Sequence, residues 1–385
     1  MKQYDYLIVG GGAAGLSLAY HLANSSLRDK KILIIDRERK NTNDRTWCFW
    51  SQRPTFFTPI CFRKWEKIRF QSFQFSKDYS IKPYQYNMLR GIDFYEFVQA
   101  ELAVRNNIDF LTAPVTSVWE TPHVAMVCAG GDTFQGTWCF DSRYNPVTIS
   151  RDRRRYHYLL QHFLGWEIET ASDVFDPAVP SLFDFRTPQE GSMRFMYVLP
   201  FTTRKALVEY TVFSASPFDR EDYEKGLADY LRRYYSLDQY SILSKETGII
   251  PMTDHPFHRR SGDKILNIGT RGGQVKPSSG YAFHRIQKDS AAIIRSLEKR
   301  GHPFDLPQPN GGYRLLDSVL LQILTHKGCL GEEIFTRMFR SNSISTIFRF
   351  LDETASLWEN YRILASVPPT PFIRSWIRIK VLGLI

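Results

Sequence analysis

Six residues near the start of the chain, Gly10-Gly11-Gly12-Ala13-Ala14-Gly15, constrain its fold more than any other segment. Residues 4–9 before them (Tyr-Asp-Tyr-Leu-Ile-Val) read as a buried strand, and residues 13–24 read as a helix packed against it. Residues 31–35 (Lys-Ile-Leu-Ile-Ile) form a second strand that ends at Asp36. Strand, glycine turn, helix and strand in this order make a parallel, right-handed βαβ unit. The glycines fit G-x-G-x-x-G, and each has a separate physical task. Gly10 permits the tight turn, Gly12 presents no Cβ to an approaching pyrophosphate, and Gly15 lets helix and strand pack closely. The helix N-terminus adds N–H donors and a positive dipole end. Asp36 is placed to accept hydrogen bonds from an adenosine ribose. A purely structural turn would explain the glycines but not the acid.

A second glycine-rich segment bears on which dinucleotide is bound. The apolar strand 265–269 (Ile-Leu-Asn-Ile-Gly) leads through Gly269, Gly272, Gly273, Pro277, Ser278, Ser279 and Gly280 into a helix from about 281 to 299. A late strand, glycine loop and helix suit a flavin pocket better than a plain nicotinamide site, so FAD is the expected cofactor. An ordinary turn with extra glycine remains the alternative. Asp141, at the end of the strand Trp138-Cys139-Phe140, is a further candidate cofactor contact. The expected class is α/β, with a discontinuous Rossmann-type FAD-binding domain, an inserted β-rich substrate domain and a helical C-terminal region. The predicted parts are 1–75, 105–160 and 246–300 for the FAD-binding domain; 76–104 and 161–245 for the substrate domain; and 301–385 for the helical region. Residues 42–62 read as an extended loop, residues 92–105 as an amphipathic helix, residues 115–140 as a β-meander and residues 222–235 as a helix.

Composition excludes several classes. No stretch of 18 apolar residues is present, so no transmembrane helix is predicted. The five cysteines (48, 61, 128, 139 and 329) have no metal-ligand spacing, so no metal site and a reducing cytoplasm are expected. The net charge of +10 points to an anionic partner. No nucleic-acid-binding motif accompanies it, and the Arg151, Arg153, Arg154, Arg155 cluster reads as a solvated segment. A membrane surface fits the charge better, each basic residue near an anionic leaflet contributing about 1 kcal/mol. The 28 Phe, 20 Tyr and 8 Trp fill a core, line an apolar cavity, or face lipid. Phe372–Ile385 mixes Arg374, Arg378 and Lys380 with Ile373, Trp376, Ile377 and Ile379. It fits an interfacial anchor or a buried terminal element equally well.

Several segments, taken in order, resemble the lycopene cyclases (carotenoid β-cyclases) of the bacterial type. They are Asp44-Arg45-Thr46-Trp47-Cys48-Phe49-Trp50, Phe140-Asp141-Ser142-Arg143, Gln161-His162-Phe163-Leu164-Gly165-Trp166, Phe183–Arg186 and Phe195–Phe201. Glu246-Thr247-Gly248-Ile249-Ile250-Pro251-Met252 and Lys276-Pro277-Ser278-Ser279-Gly280-Tyr281 complete the set. The resemblance implies that lycopene, an acyclic C40 hydrocarbon, is cyclised to γ-carotene and then β-carotene without net redox change. It implies reduced FAD as the form that stabilises a carbocation, with NADPH or NADH as external reductant. A cytoplasmic location at the inner face of the membrane follows from the lipid-borne substrate, and other carotenoid-pathway enzymes are conceivable partners. A flavin redox enzyme of the same fold (a hydroxylase or prenyl reductase) and a non-catalytic lipid-binding flavoprotein are the rivals.

The family's acid lies in a Leu-x-Glu-[Asp/Glu]-Thr segment, which corresponds to Leu207-Val208-Glu209-Tyr210-Thr211. Glu209 carries over; the second acid does not, because Tyr210 stands there. Strand alternation puts Leu207, Glu209, Thr211 and Phe213 on one face and Ala206, Val208, Tyr210 and Val212 on the other. If the first face is buried, desolvation holds Glu209 neutral, as a general acid requires; an exposed edge face is the alternative. Trp47, Trp50, Trp166 and Tyr197 are candidate substrate-lining aromatics, each also a plausible core residue.

Overall fold

The computed structural model describes residues 2–146, 149, 155–381 and 383. β1 (Lys2–Val9), α1 (Ala13–Ala23) and β2 (Ile32–Asp36) form the expected parallel unit. Both faces of these strands are covered. Tyr6, Ile8, Ile32 and Ile34 pack toward α1, while Leu7, Val9, Leu33 and Ile35 pack against Ala125 and Val127 of the meander. Burial on both faces is why the strands read as continuous apolar runs.

β3 (Thr46–Ser51), β4 (Arg63–Trp65) and β7 (Gln85–Arg90) make a small antiparallel sheet, with β5 (Lys67–Ser72) and β6 (Phe75–Ser80) lying between β4 and β7 in sequence. Residues 42–62 are therefore not wholly a loop. β3 pairs with β7 from Thr46↔Arg90 to Ser51↔Gln85. The aromatic run conceals its alternation. α2 (Gly91–Ala103) then packs on α1. β8 (Ile108–Thr112), β9 (Val115–Glu120), β10 (Ala125–Ala129) and β11 (Asp132–Asp141) complete the first sheet, in the order β8-β2-β1-β11-β10-β9.

The second sheet adds β12 (Tyr158–Glu169), β13 (Ser181–Asp184), β14 (Met193–Pro200) and β15 (Lys205–Ser214). After α3 (Arg220–Tyr235) it receives β16 (Ser241–Thr253), giving the order β16-β12-β15-β14-β13-β5-β6. β17 (Ile265–Asn267) returns to the first sheet beside β11, and α4 (Phe283–Arg300) packs on α1. The tail is helical: α5 (Gly311–Lys327), α6 (Leu330–Ser341), α7 (Ile344–Leu351), α8 (Leu357–Ser366) and α9 (Pro369–Lys380). α5, α6 and α7 share one core with a face of the second sheet, whereas α3 covers the opposite face.

The architecture is the expected α/β class with a discontinuous nucleotide-type layer, a β-rich layer and a helical C-terminal region. The expected boundaries need correction. Residues 67–75 and 246–253 belong to the second sheet, because β5 pairs with β13 and β16 pairs with β12. Residues 91–103 belong with the nucleotide-type layer, because α2 buries Phe94, Tyr95 and Val98 beside α1. Of the arginine cluster, Arg151, Arg153 and Arg154 lie outside the described residues, and Arg155 is exposed in a turn. The ambiguous tail from Phe372 is helical to Lys380; residues 382, 384 and 385 lie outside the described residues.

Candidate active site

The two layers enclose a cavity of about 470 Å³. One end is the glycine hairpin. Gly10 adopts a left-handed φ of +102°, and a Cβ on Gly15 would stand 1.9 Å from the Gly10 carbonyl oxygen. Only glycine serves at both positions. Neither residue lines the cavity; Gly12, Ala13 and Ala14 do, and nothing lies within 4 Å of where a Gly12 Cβ would be. That leaves backbone open at a helix N-terminus, the setting in which a pyrophosphate is bound. The Asp36 carboxylate accepts from Gly11 N–H at 2.6 Å and Glu38 N–H at 3.1 Å. It borders a separate cleft of about 590 Å³, also lined by Gly11, Lys40 and Thr112.

The late glycine loop divides. Gly269, Ser279 and Gly280 line the cavity. Gly272 and Pro277 do not; a Cβ on Gly272 would meet the Asn267 carbonyl oxygen at 2.4 Å, which marks tight packing of its turn. Asp141 also turns away. Its buried carboxylate accepts from Arg143 N–H, Nε and Nη2 at 2.9–3.0 Å, so the Asp-x-Arg turn closes on itself. The next residue, Ser142, lines the cavity, although the sequence marks it only as the middle of the Asp-x-Arg turn.

Glu209 enters from β15 with Leu207 beside it. The two faces of β15 alternate as expected. Leu207 and Phe213 join the core shared with the C-terminal helices, while Val208, Tyr210 and Val212 pack under α3. Both faces are covered, so the exposed-edge alternative for Glu209 does not hold. What surface Glu209 retains opens into the cavity. Burial, and then the charge of Glu246, push its pKa up to about 8, against the stabilising hydrogen bond that Thr211 Oγ1 donates at 2.6 Å. Tyr210 faces away and packs on Gly226 of α3, so an acid there would not reach the cavity.

The four aromatic candidates separate in the same way. Tyr197 stands opposite Glu209 on β14 and lines the cavity, as does Trp47, which stacks on Phe283 at 5.4 Å. Trp50 instead stacks on Phe348 of α7 at 4.5 Å and donates Nε1–H to Asp352 at 2.9 Å. Trp166 is buried on the far face of the second sheet beside Tyr240. Both are core residues, because the faces they occupy are covered by helices. Tyr86, Tyr281, Cys48, Phe163, Gln161 and Glu246 line the cavity as well. Burial raises the Tyr86 and Tyr197 hydroxyls well above their ordinary range, so these rings are neutral walls. Gln161 Oε1 is buried without a hydrogen-bond partner among the described residues, beside Gly280 in the cavity wall.

A buried ionic cluster fixes the late loop. Lys276 Nζ lies 3.1 Å from Asp317 on α5 and 2.9 Å from Glu353 after α7, and Ser278 Oγ donates to Asp317 at 2.5 Å. The residues bounding the cavity at Ser279–Tyr281 are thereby tied to the helical region.

The lycopene cyclase protein family model matches residues 5–377. The chain belongs to the lycopene cyclase family. Membership places it among enzymes of intramolecular cyclisation. A lycopene beta-cyclase of Pseudescherichia vulneris is 24% identical, over 97% of this chain and 96% of its own. A chloroplastic neoxanthin synthase of Solanum tuberosum is also 24% identical, over 77% of this chain; the match spans 61% of that protein's length. Among solved structures, a flavin-dependent brominase superposes with a TM-score of 0.64 at 12% identity, covering 99% of this chain and all of its own. That likeness concerns the fold.

Proposed function

We propose that this family member is a lycopene β-cyclase that closes the ends of lycopene into β-rings, giving γ-carotene and then β-carotene. The observation that carries the proposal is the placement of Glu209 among Leu207, Phe163, Tyr197 and Trp47 in the wall of the cavity that Gly12 of the hairpin also lines, where burial pushes its pKa up to about 8. Glu209 donates its proton to the terminal C=C of lycopene. The neighbouring alkene attacks the resulting tertiary cation, and loss of a proton leaves the ring with no net redox change. Leu207, Phe163, Tyr197 and Trp47 exclude water, which would trap the cation as an alcohol. Cation–π contact with an aromatic face contributes about 0.5–2 kcal/mol.

The open backbone at Gly12, with Ser142, Gly269, Ser279 and Gly280, would hold FAD, and Asp36 borders the room for its adenosine. When bound there in a reduced, anionic form kept so by NADPH or NADH, FAD would supply negative charge to the cavity in which the cation forms. Expression in a lycopene-accumulating host tests the assignment. Pigments should appear at the mass of lycopene with cyclic-end retention; added oxygen or hydrogen would instead identify a hydroxylase or reductase. Activity should be flat below pH 8 and fall about tenfold per unit above it as Glu209 loses its proton. Activity undiminished two units higher would remove Glu209 as the acid.

A lipid surface is the proposed source of substrate. No described helix is long and apolar enough to cross a membrane. α8 and α9 nevertheless expose Leu357, Trp358, Tyr361, Ile373 and Trp376 near Arg362, Arg374 and Arg378. Apolar and aromatic groups set among basic ones suit an anionic interface. A small apolar cavity lined by Leu364, Phe372 and Phe335 shares Ser279 with the main one. Trp358→Ser with Tyr361→Ser should weaken binding to anionic vesicles by about tenfold or more while leaving far-UV circular dichroism unchanged. Unchanged cosedimentation would move the contact elsewhere.

A further inference from the structure

The residue after Glu209 offers no second acid to the cavity, yet a second carboxylate reaches it from another strand. In the second sheet β12 lies between β15 and β16. Gly165 of β12 is the register partner of Glu209 on one side and of Glu246 on the other. A Cβ on Gly165 would lie 3.1 Å from Leu207 Cδ1 and 3.6 and 3.7 Å from Glu209 Cβ and Cγ, so the Leu207 and Glu209 side chains share the space over this glycine. Gly165 itself puts no side chain between the two register positions. Both line the cavity. Glu246 is held there by Thr46, whose N–H and Oγ1–H donate to its two oxygens at 2.9 and 2.6 Å.

We propose that Glu246 is a positioning residue whose negative charge, lodged across Gly165 from Glu209, keeps the Glu209 proton in place. This rests on Glu209 being the acid of the cyclase reaction. The surroundings favour that division of one proton between two carboxyls. Burial raises the Glu246 pKa, against the two charge-stabilising donors of Thr46 and the charge of Arg45, while Asp44 adds to the rise. Among the described residues Glu209 has one donor, Thr211 of its own strand. The other titratable groups that act with it are Tyr197 from β14, Cys48 from β3 and Tyr281 from the late loop, all held neutral by burial. With two donors against one, Glu246 is the better placed of the pair to carry the charge, and that charge opposes ionisation of Glu209.

The test is a titration without substrate. The protonated-carboxyl C=O stretch that Glu209→Gln removes is followed by infrared difference spectroscopy in the wild type, Glu246→Gln and Glu246→Asp. The wild-type midpoint is expected near 8. It should fall by about one unit in Glu246→Gln and stay close to wild type in Glu246→Asp, with the alkaline limb of the cyclisation rate moving likewise. A Glu246→Gln midpoint at the wild-type position overturns the proposal. Should that variant not fold, the wild type decides: two separate carboxyl steps are required, of which Glu209→Gln removes only the upper. A single step overturns it. The readout does not depend on turnover. A wild type that makes no cyclic product, while the midpoint still moves, sinks the cyclase assignment and leaves the coupling standing.

Discussion

Glu209→Gln should lower ring formation by about 10²–10⁴-fold or more while flavin binding is retained, because the amide keeps the shape of the side chain and removes its transferable proton. Pigment chromatography and the flavin absorbance of the purified protein check the two halves separately. Full activity would remove Glu209 from the chemistry; loss of flavin with activity would mean the substitution disturbed the fold. Stability should move the other way. The folded pKa of about 8 lies above the unfolded value of about 4.3, so the folded state holds a proton that the unfolded chain releases between them. The contribution of Glu209 to stability is thus fully present below about pH 4 and is lost as pH rises toward 8. Gln carries no such penalty. The variant should melt with the wild type near pH 4 and above it at pH 8.5 or beyond. A wild type that is the more stable protein at alkaline pH would contradict the raised pKa.

Lys276→Met should cost about 3–5 kcal/mol of stability at neutral pH, since it removes the amine from a buried ion cluster and leaves its partners behind. Among the described residues Asp317 keeps only the Ser278 hydroxyl, and Glu353 keeps Arg285 at 2.8 Å. Burial already pushes the Asp317 carboxyl upward. Without Lys276 it should take a proton, so the deficit of the variant should be smaller at pH 5 than at pH 8. Adding Asp317→Asn should recover part of the loss. Thermal melts of both variants at two pH values decide this. Melting with the wild type at both would mean that the cluster carries no net stability.

The hairpin could be read from the sequence because every element of it is local. A strand, a turn that tolerates only glycine, a helix and a second strand follow one another within residues 4–36. Steric rules act over a few residues there, and the observed φ at Gly10 is one of them. The alternation of β15 was equally local, so the face carrying Glu209 was legible as well. What covers that face was not. Trp50 and Trp166 sit in aromatic segments much like those of Trp47 and Tyr197, yet α7 covers the first and the α3 side of the second sheet buries the second. Residues 46–51 illustrate the same limit, since β3 exists by pairing with β7 and its own aromatic run conceals a strand period.

Asp141 and Glu246 mark the division most clearly. An acid ending a strand beside a glycine-rich site reads as a ligand contact, but Arg143 two residues on folds back and satisfies it. Glu246 stands in a segment whose resemblance rests on order and spacing, and nothing near it in sequence announces a partner. The sequence by itself determined the backbone of the glycine hairpin and the face each β15 side chain takes, because those follow from sterics over a handful of residues. Only the tertiary structure decided which faces meet. Placing Glu209 and Glu246 on either side of Gly165 requires three strands to pair in one register, and that register is set by burying both faces of a sheet whose members come from distant parts of the chain.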